Sequence, residues 1–215
     1  MPRTSALSRL VLIFLPLLAA QAHASGIAVQ VQDAAGKVVP DTVIYAESEA
    51  PAGGKAPGTA EIEQRGLKFV PLVTVVQTGT TIHFPNNDKV RHHIYSFSPA
   101  HKFDQKLYSG QTATPQVFDK AGTVVLGCNI HDKMLAFVKV VDTPYFAKTD
   151  GGGTARIELA PGKYTVKAWH YNAAGNQTVE QVMVVKPGEA PTTAVFRVTM
   201  KPPVTDADAA SNSNL

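Results

Sequence analysis

The chain has 215 residues, which is enough for one large or two small domains. Hydrophobic residues make up 44% and charged residues 17%, so the chain can bury a core and is not disordered as a whole. Without residues 1–24, which hold two arginines and no acidic residue, the formal charge is 20 − 2 = 18 basic against 17 acidic residues. A net charge of about +1 argues against a general nucleic-acid binder.

The N-terminal 24 residues have the pattern of a secretory signal peptide. Arg3 and Arg9 precede the apolar run 10–20, and Ala22-His23-Ala24 forms a small-residue cleavage site. The alternative is a membrane anchor, but the run is shorter than the ~20 apolar residues that span a bilayer. We expect cleavage after Ala24, a periplasmic protein and no stable membrane insertion.

The segment that follows alternates apolar and polar residues as a half-buried strand does. Ile27, Val29 and Val31 share one face, and residues 42–46 predict a returning strand. Residues 25–48 are therefore the first strands of a β domain. Residues 49–60 are rich in Pro, Gly and Ala and predict a linker.

Residues 61–141 form a second β segment. Strands are predicted at residues 80–84, 92–97, 123–126 and 135–141, while residues 98–115 look irregular. Residues 142–200 continue with short alternating strands between turns, and residues 201–215 predict a disordered tail. No amphipathic helix of ten or more residues is evident, so the fold class is all-β, with sandwich architecture.

The single cysteine stands in a pattern of soft ligands. Cys128 is followed by His131 and Met134, and one cysteine in an oxidising compartment cannot form an internal disulfide. Two His and one Cys in a trigonal set, with a weak axial Met, form the blue-copper electron-transfer geometry. The alternative is a buried structural thiol, a loop histidine and a packed methionine.

Two stretches together resemble the cupredoxins, a family that includes plastocyanin and amicyanin. They are G-T-T-I-H-F-P-N-N-D-K-V-R-H-H at 79–93 and G-C-N-I-H-D-K-M at 127–134. The resemblance implies a Greek-key β-sandwich with copper bound by His92, Cys128, His131 and Met134. His93 remains an alternative to His92, since neighbouring residues on a strand point to opposite faces.

The resemblance also implies a role for each ligand. The Cys128 thiolate would carry the electron, His92 and His131 would complete the trigonal plane, and Met134 would help to set the potential. His131 would reach the surface within an apolar patch, for which Leu135 and Pro85 are candidates. The other histidines of the mature chain (His83, His101 and His170) are not expected to bind metal.

The flanking segments resemble a different family. The stretch T-D-G-G-G-T-A-R-I-E-L-A-P-G-K-Y-T-V-K-A-W at 149–169 is similar to the carboxypeptidase regulatory-like, or prealbumin-like, sandwich, whose usual opening pattern appears at residues 31–43. We therefore predict one such sandwich with the cupredoxin inserted into it. The rival is a sequential layout, in which residues 26–48 belong to the cupredoxin. The whole arrangement resembles periplasmic plastocyanin-like proteins labelled methylamine utilization proteins.

These patterns predict a periplasmic protein with one type 1 copper per chain. It would carry single electrons between redox proteins, for example a cytochrome c or a dehydrogenase. The alternative is copper handling, which is disfavoured because the mature chain has only Met134, Met183 and Met200 and no methionine cluster. An enzyme is not expected, since no second set of copper ligands and no nucleophile–base motif is visible.

Overall fold

The computed structural model describes residues 25–48, 58–108 and 113–202. The predicted signal peptide, most of the predicted linker and residues 203–215 of the predicted tail lie outside the described residues. Within them, the one helical element is a three-residue 3-10 turn at Ala174–Asn176. No helix there has the length and apolar character to cross a membrane. The prediction of an all-β fold is confirmed.

The described residues form strands in the following order: β1 (Gly26–Gln32), β2 (Val43–Ser48), β3 (Thr59–Glu61), β4 (Glu63–Gln64), β5 (Phe69–Val70), β6 (Val73–Gln77), β7 (Thr80–His83), β8 (His92–Ser98), β9 (His101–Tyr108), β10 (Gln116–Phe118), β11 (Gly122–Cys128), β12 (Leu135–Val141), β13 (Phe146–Lys148), β14 (Thr154–Glu158), β15 (Gly162–Trp169), β16 (Thr178–Val185) and β17 (Thr192–Arg197).

The first two strands and the last five form two sheets together. One sheet has the order β14-β1-β17, and a second has the order β13-β2-β15-β16. Apolar residues of both sheets, among them Ile27, Ile44, Val166 and Phe196, share one buried core. We call these strands the outer unit. β1 runs parallel to β17 and antiparallel to β14, so it pairs with strands that follow the middle of the chain. The exact domain boundaries stay a prediction.

Strands β3 to β12 form a separate middle unit with its own core. A five-stranded sheet has the order β6-β12-β11-β8-β9, and smaller sheets have the orders β10-β7-β3 and β4-β5. The core includes Phe84, Phe118, Leu126, Cys128 and Met134. β3 pairs with β7, so the strands of this unit begin at Thr59, two residues inside the segment that was predicted as linker.

The expectation of irregular structure at 98–115 is wrong for most of its described part. β9 is an eight-residue strand whose residues from 101 to 106 alternate between half-buried and exposed positions. His101 and Gln105 occupy half-buried positions of this strand. Apolar residues there would have given the sequence the alternating hydrophobic pattern of a strand. The segment therefore forms a strand although its sequence lacks a regular alternation of apolar and polar residues.

A third apolar cluster joins the two units. Val73 and Val141 of the middle unit pack with Val43, Tyr45 and Trp169 of the outer unit. Polar contacts cross the same boundary, since the Lys148 ammonium donates to the Val73 carbonyl oxygen at 3.0 Å. The two units therefore share a packed interface.

Candidate metal centre

The ends of two neighbouring strands bring the predicted ligands together. His92 begins β8 and Cys128 ends β11. The two strands are antiparallel, with Cys128 opposite Ile94. The start of one strand therefore lies beside the end of the other, and residues 36 positions apart in sequence become neighbours.

The loop after Cys128 returns the chain to the same place. The backbone N–H of Cys128 donates to the carbonyl of Met134 at 3.2 Å, and the N–H of Met134 donates to the carbonyl of His131 at 2.9 Å. Asn129 N–H donates across to the His93 carbonyl at 3.1 Å. These bonds fold the six residues between β11 and β12 into a tight loop that directs the His131 ring back toward Cys128.

Two imidazole nitrogens lie close to one sulfur. Nδ1 of His92 is 3.7 Å from Cys128 Sγ, and Nδ1 of His131 is 3.6 Å from the same atom. The centroids of the two imidazole rings are 5.0 Å apart, and the ring planes are inclined by 58°. His92 and Cys128 are buried, while His131 is half-buried, so one edge of the site reaches toward solvent.

These spacings suit a metal ion between the three side chains. For bonds of about 2.0–2.1 Å to nitrogen and about 2.3 Å to thiolate, a tetrahedral to trigonal angle separates nitrogen and sulfur by about 3.6–3.8 Å. The observed separations fall in this range. All three ligand atoms also lie within 4.8 Å of one another. His92, Cys128 and His131 therefore form a group that could hold a metal ion.

The carboxylate of Asp88 fixes the orientation of the buried imidazole. Its Oδ2 lies 2.9 Å from Nε2 of His92. Because a carboxylate accepts hydrogen bonds, Nε2 carries the proton and Nδ1 presents its lone pair toward Cys128. Carboxylate–histidine pairs of this kind orient metal ligands and raise their basicity.

Asp88 is itself anchored by the backbone of a distant turn. Gly66 and Leu67 donate their N–H groups to its two oxygens at 2.6 and 3.0 Å. Burial opposes ionisation of Asp88, but the hydrogen bonds from Leu67, His92 and Gly66 outweigh it and lower the pKa of this carboxyl below its usual value. The group is therefore ionised at neutral pH.

A buried polar network supports the turn that carries Asp88. The Asn86 side chain donates to the carbonyls of Val90 and Tyr108 at 2.9 and 3.1 Å, and its Oδ1 accepts the Asp88 N–H at 3.0 Å. The Tyr108 hydroxyl donates to the Phe84 carbonyl at 2.8 Å. Burial, partly opposed by the hydrogen bond with Gln64, raises the pKa of Tyr108 to about 12, so it remains a neutral donor.

Met134 is buried directly after the loop. Its side chain is 1% exposed and belongs to the same core cluster as Cys128. The structure therefore places a thioether in the core around the thiol. Its role as an axial ligand stays a prediction.

The structure brings His92, and not His93, to Cys128. The His93 ring pairs instead with the Asp104 carboxylate on β9 and is half-exposed. This difference follows from strand geometry, because successive side chains point to opposite faces of the sheet.

The remaining histidines of the described residues lie elsewhere. His83 is exposed at the end of β7, and the His101 ring packs 4.5 Å from that of Phe118. His170 Nδ1 accepts the N–H of Asn172 at 3.0 Å. None of the three belongs to the group of potential metal ligands among the described residues.

The apolar surface beside His131 differs from the prediction. Leu135 is 44% exposed, as expected for a surface patch, but Pro85 is buried. Ile130, which the sequence reasoning missed, is 49% exposed. Pro85 was a wrong candidate for a surface patch because it is buried, while Ile130 is exposed in the loop next to His131.

Sequence reasoning also missed Asp88 as a partner of the ligand set. The available signal was its position four residues before His92 in the Asn86-Asn87-Asp88 turn. Turn composition alone does not reveal that its side chain points back to the imidazole.

Comparisons with known proteins are limited to structural likeness. No protein-family model and no curated protein matches the sequence. A purple cupredoxin from Nitrosopumilus maritimus is 24% identical with a TM-score of 0.35, and the match covers 38% of this chain and 99% of that chain. A Cu-containing nitrite reductase from Thermus scotoductus is 24% identical with a TM-score of 0.36, over 44% of this chain and 24% of the reductase. A mutant of amicyanin, in its Cu(I) form, is 15% identical with a TM-score of 0.36, over 45% of this chain and 99% of that chain. Likeness at this level carries no argument about function. The case for a function therefore rests on the side chains of the site.

Proposed function

We propose that the chain is a cupredoxin-like type 1 copper protein that carries single electrons between redox partners in the periplasm. The observation that carries the proposal is the pair of Nδ1 atoms 3.6 and 3.7 Å from one cysteine sulfur. A thiolate with two imidazoles, next to a buried thioether, is the donor set that copper takes in electron-transfer sites. His92, Cys128 and His131 would hold one copper, with Met134 as the weak fourth ligand.

Copper bound there would supply a reversible one-electron couple. The chain's own residues supply the rest of the function. Asp88 fixes His92, and the hydrogen bonds of the loop fix Cys128 and Met134, so the ligands hold nearly one arrangement in both oxidation states. Burial of His92 and Cys128 excludes water from one side of the site.

His131 provides the route to a partner. It is the only one of the three ligands that is not fully buried, and Ile130 and Leu135 give the nearby surface an apolar character. An electron would enter or leave through this ring edge, with no bond made or broken in the protein. The partner would be another redox protein, such as a cytochrome c or a dehydrogenase.

The rival function is copper handling without electron transfer, and one experiment separates the two. We would load the mature protein with copper and record its voltammetry, and in parallel offer the Cu(I) form to an excess of a Cu(I) chelator. A carrier gives a reversible one-electron wave and releases copper slowly. Rapid transfer of copper to the chelator without a reversible wave would reject the carrier proposal.

A further inference from the structure

A groove at the boundary of the two units has no role in the proposed electron transfer. Phe137 and Lys139 line it from the middle unit, and Trp169, Tyr171 and Lys201 line it from the outer unit. Its lining contains lysine, amide, hydroxyl and aromatic side chains but no carboxylate. Binding sites form preferentially at such boundaries, because two surfaces meet there at an angle.

Lys139 places a partly desolvated positive charge in this groove. Its Nζ lies 5.3 Å from the centre of the Trp169 ring and 5.8 Å from that of Tyr45. Among the described residues, no carboxylate forms an ion pair with it. The acidic group that acts on it, Glu47, is engaged with Lys167 at 2.7 Å. Burial and then the charge of Lys167 lower the pKa of Lys139, while Glu47 opposes them. A cation in this environment attracts an anion more strongly than a fully hydrated one does.

A second cation is held at the same groove by the loop after β15. Lys201 Nζ lies 3.3 Å from Oδ1 of Asn176, and its backbone N–H donates to the Asn172 carbonyl at 2.9 Å. The loop is fixed in turn by the N–H of Ala174, which donates to the Thr199 carbonyl at 2.8 Å. Lys201 is exposed, and its Nζ hydrogen-bonds to Asn176, which also lines the groove.

Three aromatic residues line the same groove as the two lysines. The rings of Phe137 and Tyr171 stack across the unit boundary, with centroids 4.8 Å apart and planes inclined by 25°. Trp169 adjoins them in the lining. Aromatic faces of this kind favour a planar partner.

We propose that this groove binds a small aromatic carboxylate. The carboxylate group pairs with Lys139 and Lys201, and the ring lies against Phe137, Trp169 and Tyr171. A neutral sugar would also stack on aromatic side chains, but it would leave the partly desolvated Lys139 without a counter-charge. Binding at this groove does not depend on copper.

Trp169 reports on the proposal directly, because it is the only tryptophan in the chain. We would titrate the metal-free mature protein with benzoate and follow Trp169 fluorescence, with isothermal titration calorimetry as a second readout. Benzyl alcohol is the matched neutral probe, and cellobiose tests the carbohydrate alternative. We expect saturable binding of benzoate and at least about tenfold weaker binding of benzyl alcohol, as the loss of one charged hydrogen bond predicts.

Variants assign the binding to the groove. Lys139→Gln should weaken benzoate binding by about tenfold or more, while Lys139→Arg should retain it. Lys120→Gln, at an exposed lysine outside the groove, is the matched control and should bind as the unmodified protein does. Equal binding of benzoate and benzyl alcohol, binding of cellobiose alone, or full binding by Lys139→Gln would overturn the proposal. The same benzoate titration on Cys128→Ser should give unchanged binding, because the groove does not depend on copper. A failure of the copper proposal and a failure of the groove proposal can therefore be told apart.

Discussion

The carboxylate of Asp88 lies 2.9 Å from Nε2 of His92, on the edge of the ring opposite the nitrogen that faces Cys128. This contact fixes both the tautomer and the rotation of the imidazole. Asp88→Asn removes the charge and should lower metal affinity by about 10–100-fold, since partners of this kind contribute that much to metal binding. Competition with a chromophoric chelator measures the affinity.

The matched control for Asp88 is Asp104→Asn. Asp104 is also paired with a histidine, His93, but that ring does not belong to the ligand group. We expect the metal affinity of the Asp104→Asn variant to equal that of the unmodified protein. Equal losses in the two variants would show that general electrostatics, and not orientation of His92, is responsible.

Adjacent histidines should behave differently on substitution. His92→Gln removes a proposed ligand and should abolish tight copper binding, because the Nδ1 of His92 is one of the two that face the sulfur. His93→Gln removes only the contact with Asp104 and should leave the site able to bind. Copper content after dialysis against a weak chelator measures both. Loss of copper from His93→Gln, with retention in His92→Gln, would contradict the assignment.

Gly127 has no room for a side chain beneath Tyr95. A Cβ at this position would lie 2.8 Å from Cζ and 2.9 Å from the hydroxyl oxygen of that ring. Gly127→Ala must displace the half-buried Tyr95 ring and should destabilise the protein by about 1 kcal/mol, at the low end of the cost of over-packing. Urea unfolding of the metal-free protein measures this change.

A double mutant tests the physical cause. Tyr95→Ser removes the ring, so the cost of Gly127→Ala should largely disappear in the Tyr95→Ser background. Additive free energies of unfolding in the double mutant would show that the cost arises from backbone conformation and not from the contact.

His170 should give the protein a pH-dependent stability that is independent of the metal site. Burial lowers the pKa of His170 from its ordinary value of 6.5, while Asp41 and the Pro40 backbone oppose the shift. The unfolded chain therefore takes up a proton before the folded chain does. The stabilisation is complete above the ordinary pKa and is lost as the pH falls through the lower, folded-state value.

A proton NMR titration of His170 measures this pKa directly. In parallel, the free energy of unfolding of His170→Gln should depend less on pH between about pH 7 and 5 than that of the unmodified protein. A His170 pKa at or above 6.5 in the folded protein would contradict the prediction.

The sequence pointed to the candidate ligands more clearly than to the residues that support them. Cys128, His131 and His92 were predicted because their side-chain chemistry and spacing are unusual. Asp88 and the buried Asn86 and Tyr108 were not, because their roles depend on contacts made only after the strands have paired. No local sequence pattern indicates that Asp88, in the turn at 86–88, accepts a hydrogen bond from the backbone of Gly66.

The strands show the same limit. Ile27, Val29 and Val31 alternate cleanly and were predicted as a strand, but their pairing with residues 192–197 joins chain segments more than 160 positions apart. This pairing was suggested only by the resemblance of both flanking segments to the same family of sandwich domains. In β9 the half-buried positions include His101 and Gln105, so tertiary packing and not hydrophobic alternation produces the strand.

The most direct test of the copper assignment is a titration of the protein with Cu(II), followed by optical absorption and EPR, beside the variant Cys128→Ser. A thiolate held with two imidazoles predicts an intense blue thiolate-to-copper band and narrow copper hyperfine splitting, both lost in Cys128→Ser. A colourless or weakly absorbing complex that is unaffected by Cys128→Ser would contradict the type 1 site and with it the electron-carrier function.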